Sequence, residues 1–107
     1  MNLKLILPLA SLFFASVATA AATPVPIDGQ ITLIEASYMP NVITFHMTGA
    51  GGLCTKDSWY RWANADPSNN RAVYATLLSA YVSGKTIRFY VDPTDATCTG
   101  QFVHIHD

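Results

Sequence analysis

Asp66-Pro67-Ser68-Asn69-Asn70-Arg71-Ala72-Val73-Tyr74-Ala75-Thr76-Leu77-Leu78-Ser79-Ala80-Tyr81-Val82-Ser83-Gly84-Lys85-Thr86-Ile87-Arg88-Phe89-Tyr90-Val91 changes periodicity once, at Gly84. Before it the apolar residues recur with a helical period. Val73, Leu77, Ala80 and Tyr81 form the expected buried stripe, which Tyr74 and Leu78 widen. Asp66 suits the N-cap, and Pro67 the first helical position, where a missing N–H costs nothing. Gly84 is the expected left-handed stop. After it Lys85–Val91 alternates: Ile87, Phe89 and Val91 face a core, Arg88 and Tyr90 face away.

Working outward, the other segments read as short strands. Gly29–Ala36 is β-rich, with Ile31, Leu33 and Glu35 expected on one face and Thr32, Ile34 and Ala36 on the other. Tyr38-Met39-Pro40-Asn41 is a turn. Val42–Met47 puts Ile43, Phe45 and Met47 toward the core and Val42, Thr44 and His46 away. The two strands make an antiparallel hairpin. Gly49–Gly52 reads as a flexible loop and not a phosphate cradle, because it leads into Leu53-Cys54 and not a Lys-bearing helix. Ser58–Trp62 is a third strand, with Trp59 and Arg61 opposed to Tyr60 and Trp62. Asp92–Asp95 turns into a final strand, Gln101–His106. Ala21–Pro26 reads as a loose, extended start.

The expected order is β-β-β-α-β-β: mainly β with one helix. Five short strands with a helix before the fourth fit a small five-stranded OB-like barrel, the oligonucleotide/oligosaccharide-binding (OB) type. An α+β sheet with one packed helix is the alternative.

The first residues carry an address. A short basic start, Met1–Lys4, precedes an apolar run from Leu5 to Val17, and then Ala18-Thr19-Ala20. This is the pattern of a signal peptide at 1–20, with cleavage after Ala20 or after Ala22. The apolar run is shorter than the roughly 18 residues of a membrane span, and no later stretch is longer. The expectation is export to the periplasm or the extracellular space, as one small domain, 21–107. In an oxidising compartment Cys54 and Cys98, the only cysteines, are expected to pair.

Charge excludes some functions. The chain has six Lys+Arg and seven Asp+Glu; loss of Lys4 with the leader leaves five against seven, a net charge of −2. With no basic cluster, nucleic acid and anionic membranes are not expected partners. Glu35 is the sole glutamate, and the aspartates sit at turn-like or terminal positions, so paired catalytic carboxylates are not indicated. Ser58, His46 and Asp57 match no nucleophile motif. No cofactor is indicated.

Two binding constellations stand out. Trp59-Tyr60-Arg61-Trp62 combines faces that stack on sugar rings with an arginine that can fork a carboxylate, and Tyr90 would extend this platform. His104-x-His106 places two imidazoles on one strand face, a partial metal site that Asp107 or His46 could complete.

Ala72–Val91, with a cysteine some way ahead of the helix and Cys98-Thr99-Gly100 before the last strand, resembles a helix–Gly–strand unit of small exported bacterial proteins. It is also similar to a unit in the B subunits of subtilase-type and typhoid-type toxins. The resemblance covers about half of the segment after the leader. It implies an OB-type barrel, pentameric assembly and binding of sialylated glycans. No residue of this chain is assigned to the toxins' serine-centred glycan pocket.

The functional expectation is thus a secreted, non-enzymatic binding module that recognises a glycan or a protein surface, toxin-B-subunit-like in the first case. The alternative is a periplasmic or secreted structural or inhibitory protein acting through protein–protein contact.

Overall fold

The computed structural model describes residues 22–107, so the expected signal peptide lies outside the described residues. Six strands and one helix follow in the order β1 (Val25–Gly29), β2 (Ile31–Glu35), β3 (Ile43–Met47), β4 (Tyr60–Trp62), α1 (Pro67–Ser83), β5 (Thr86–Val91) and β6 (Gly100–His106). They form two three-stranded antiparallel sheets, β1-β5-β6 and β2-β3-β4. The mainly β architecture with one helix is as expected; the strand count is not, and the ladders do not run on as one continuous five-stranded sheet.

The additional strand is β1, which begins in the segment read as loose, Ala21–Pro26, and runs on to Gly29. Pro24 and Pro26 disguise it, but it is an edge strand, where Pro26 forfeits no essential ladder bond. Ile27 pairs with Phe89 and turns inward, and Asp28 pairs with Arg88 and turns outward. The guanidinium forks the Asp28 carboxylate at 2.8 and 3.0 Å, which holds that carboxyl below its ordinary range. Only Gln30 separates β1 from β2, so the chain passes from one sheet into the other at that point.

Strand β2 departs from simple alternation. A register shift between Ile31 and Leu33 leaves Ile31 opposite Met47 but sets Leu33 opposite His46 and Ile34 opposite Phe45. One extra residue in a bulge reverses the facing of everything beyond it. Ile34 therefore packs on the core, and Leu33, expected beside Ile31, is 43% exposed.

The core lies between the sheets and under the helix. Ile43, Phe45 and Met47 of β3 and Ile87, Phe89 and Val91 of β5 are all buried, as their alternation requires. Phe89 meets Phe45 edge-on at 5.1 Å and Tyr60 edge-on at 5.8 Å, while Phe45 and Tyr60 stack at 5.7 Å. The buried Tyr60 hydroxyl donates to the Gly49 carbonyl at 2.7 Å, and burial pushes its pKa up. Gly49 itself presses on β1, where a Cβ would collide with the Asp28 carbonyl oxygen. The expected flexible loop is thus packed at its first residue.

Helix α1 starts and stops as its sequence dictates. The Asp66 carboxylate accepts from the Ser68 N–H at 2.9 Å, and Gly84 ends the helix at φ 67°. Its buried stripe is narrower than expected: Asn70, Val73, Leu77 and Ala80 face in, whereas Leu78 and Tyr81 are exposed. Asn70, one turn ahead of Val73, extends the core-facing side with a polar residue. Its amide donates to the carbonyls of Pro40, Asn41 and Asn64 and accepts from the Asn64 N–H. One side chain so ties the helix to the turn between β2 and β3 and to the segment entering the helix.

Cys54 and Cys98 are disulfide-bonded and buried, joining the approach to β4 with the approach to β6. The Cys98 carbonyl also accepts from the Arg61 N–H at 3.0 Å, beside a single parallel bridge between Arg61 and Thr99. No helix among the described residues is long and apolar enough to cross a membrane.

Two outcomes follow. The bridge closes a separation of 44 residues, so the double variant Cys54→Ser/Cys98→Ser is expected to lose about 4 kcal/mol by the chain-entropy model, read as a lower urea midpoint. Asn70→Ala is expected to cost about 2–3 kcal/mol in the same assay, because it strands buried carbonyls and an N–H. Asn70→Asp should not rescue it at neutral pH, since a carboxylate cannot donate.

Candidate functional site

Strand alternation divides the aromatic cluster. Tyr60 and Trp62 point inward, at 0% and 7% exposure, and Trp59 and Arg61 point outward. The opposition of Trp59 and Arg61 to Tyr60 and Trp62 is as the strand reading expects, and it leaves only the first pair for a surface platform. Tyr60 belongs to the core aromatics, and Trp62 packs near Phe89 at 6.4 Å while its indole N–H donates to Asn69 Oδ1 at 3.0 Å. Tyr90 does not extend a Trp59 surface either. It lies on the other sheet, edge-on to Phe102 and His104.

Trp59 is 49% exposed. Extending the β3–β4 register by one residue places it across from His46 on the outer face of the β2-β3-β4 sheet. Its ring lies against the His46 imidazole at a centroid distance of 3.8 Å. His46 Nδ1 donates to the Ser58 carbonyl at 3.0 Å, because a carbonyl can only accept. This leaves the other ring nitrogen available. Ser58 is itself held in a closed turn: its N–H donates to the Thr55 carbonyl and its hydroxyl accepts from the Thr55 N–H. The indole is therefore held between the start of β4, a stacked imidazole and the turn before it.

Two open clefts flank this stack. The first, about 410 Å³, is lined by Glu35, Tyr38, Thr44 and Trp59. The second, about 500 Å³, is lined by Thr32, Leu33, His46, Lys56 and Asp57. Glu35 and Thr44 are cross-strand partners, as are Leu33 and His46, so the β2–β3 ladder supplies both floors. Tyr38, 63% exposed, comes from the turn after β2. Glu35 Oε1 accepts from the Ser37 N–H at 2.8 Å, and hydrogen bonds from the Ser37 hydroxyl and then from its N–H hold the carboxyl below its ordinary range. It is a carboxylate at neutral pH. Arg61, opposite Thr44 on the neighbouring strand, lines neither cleft, and its charge is felt at Asp95.

Of these lining residues Trp59 belongs to the aromatic constellation expected from the sequence, and His46 was named only as a third ligand for the histidine pair. Thr44 and His46 were legible as outward-facing. Glu35 and Tyr38 were not: the bulge that turns Glu35 outward leaves no mark in the alternation, and Tyr38 reads as a turn residue.

The histidine pair sits elsewhere. His104 and His106 lie opposite Arg88 and Thr86 on the β1-β5-β6 sheet. His106 Nε2 is 3.5 Å from Asp28, and His104 packs on Tyr90. His46 is on the other sheet and does not join them, and Asp107 pairs with Lys85. Among the described residues no three metal-binding side chains converge. Asp66, Asp92 and Asp95 serve turns and the helix cap, each accepting from the N–H two residues on.

No protein-family model matches the chain, and comparison with curated proteins and with solved structures finds no significant match.

The two tryptophans should respond differently to truncation. Trp62→Ala is expected to cost about 3–5 kcal/mol of stability, as for a core aromatic, whereas Trp59→Ala should cost under about 1 kcal/mol, as at a surface position. Paired urea titrations followed by circular dichroism check this.

Proposed function

We propose that the chain is an exported, non-enzymatic binding module that recognises a glycan at the Trp59 face. The observation that carries this is the half-exposed, rigidly held indole of Trp59 at the edge of an open cleft with Glu35, Tyr38 and Thr44. An aromatic face buries the apolar side of a sugar ring, and flanking oxygens bond its hydroxyls. Preorganisation of the indole keeps the ordering cost of binding low. The bridge between Cys54 and Cys98 fits an oxidising compartment outside the cytoplasm.

Treating β1 and β2 as one strand bent at Gln30 turns six strands into five, with the helix between the third and fourth, the OB-type order. The parallel bridge between Arg61 and Thr99 supports closure of such a barrel. The resemblance of Ala72–Val91 to the toxin B subunits extends the proposal to ring-like oligomers.

A second reading is a structural or inhibitory role through protein contact. It is favoured by the other outer face, where Phe102, 57% exposed, clusters with Tyr90 and His104.

The test is a glycan array probed with the oxidised protein and with Trp59→Ala. Specific glycan binding that falls at least about tenfold in the folded variant is expected, since stacking on one aromatic ring commonly accounts for that much. An array without signal, alongside a single protein partner whose binding is lost in Phe102→Ala, would replace the first reading with the second.

A further inference from the structure

We infer that the cleft beside Trp59 takes a protonated amine carried on a sugar, an amino-sugar unit with its ammonium against Glu35 and its ring against Trp59 and Tyr38. This rests on the glycan-binding reading and names its ligand class. Glu35 is the one charged side chain lining that cleft, whose other walls are Tyr38, Thr44 and Trp59. Its carboxylate is bonded by Ser37 alone, through the N–H to Oε1 and through the hydroxyl. A carboxylate offers about four lone-pair sites, so acceptor capacity remains for a ligand donor. Two exposed aromatics around an anion favour a cation twice over, through charge pairing and through attraction to the ring faces. The Thr44 hydroxyl can bond a sugar oxygen.

The same groups disfavour an acidic sugar. A ligand carboxylate would meet Glu35 with no basic residue in the cleft to offset it. Lys56 lines the adjoining cleft together with Asp57, and Arg61 lies near Asp95. The ligand charge implied here is therefore opposite to that of the sialylated glycans expected from the toxin resemblance.

Calorimetry on the oxidised chain tests this with four probes: an oligomer of glucosamine with free amines, the same oligomer N-acetylated, sialyllactose, and tetramethylammonium. The free-amine oligomer is expected to bind about tenfold tighter than its acetylated form, the scale of one charge-assisted contact. Glu35→Gln, which can still accept from Ser37, should bring the two within about threefold, consistent with loss of that contact alone. Trp59→Ala should abolish both, with a cooperative melting transition in each variant showing that the fold persists. Equal affinity for the two oligomers, or tighter binding of sialyllactose, overturns the amine assignment and leaves the glycan reading standing. Tetramethylammonium binding as tightly as the amino sugar overturns the sugar assignment. Failure of every sugar here and on the array overturns the glycan reading and this inference with it.

Discussion

Phe89 is the clasp between the sheets. It belongs to β5 of one sheet, yet its ring partners, Phe45, Tyr60 and Trp62, all belong to the other. Each edge-on aromatic pair contributes about 0.5–1.5 kcal/mol beyond the area it buries. In so small a core such contacts are a large part of the net stability. Packing around them sets which face of β3 and β4 is inside. It thereby sets which face carries Trp59, His46 and Thr44.

Polar ties complete what the aromatic contacts begin. Asn70 bonds the helix to the turn between β2 and β3 and to the segment after β4, and the disulfide joins the approaches to β4 and β6. Neither touches the Trp59 clefts. Both hold the frame on which the clefts are built, through β4 in particular, whose Arg61 N–H is bonded to the Cys98 carbonyl. Binding residues on strands anchored in this way lose little freedom when a ligand arrives. The immediate support of Trp59 is more local, from His46 and the turn at Thr55–Ser58.

The helix with its caps and the alternation of β3 and β5 were legible because each obeys a local rule: a cap residue bonds its own turn, and a strand shows one face to the core. Strand β1 was not, because Pro26, with Pro24 just ahead of the strand, argues against a strand wherever its edge position is unknown. The bulge in β2 was equally hidden. An inserted residue is recognised only against the partner strand, and it reassigned Leu33, Ile34 and Glu35 together. Asn70 escaped notice because its bonds span 29 and 30 positions to carbonyls that the turn brings near.

Local chemistry alone settled the helix limits, the inward residues of β3 and β5, the pairing of the two cysteines, and the near-neutral surface that argues against nucleic acid. These depend on neighbours within a turn or a strand, on cysteine count and on charge. Tertiary structure alone decided which aromatics are exposed, that Trp59 keeps company with Glu35 and Tyr38 and not with Tyr90, and that the two C-terminal histidines stand apart from His46. Facing across a sheet depends on register, and register is set by long-range packing and by a bulge that no single strand records.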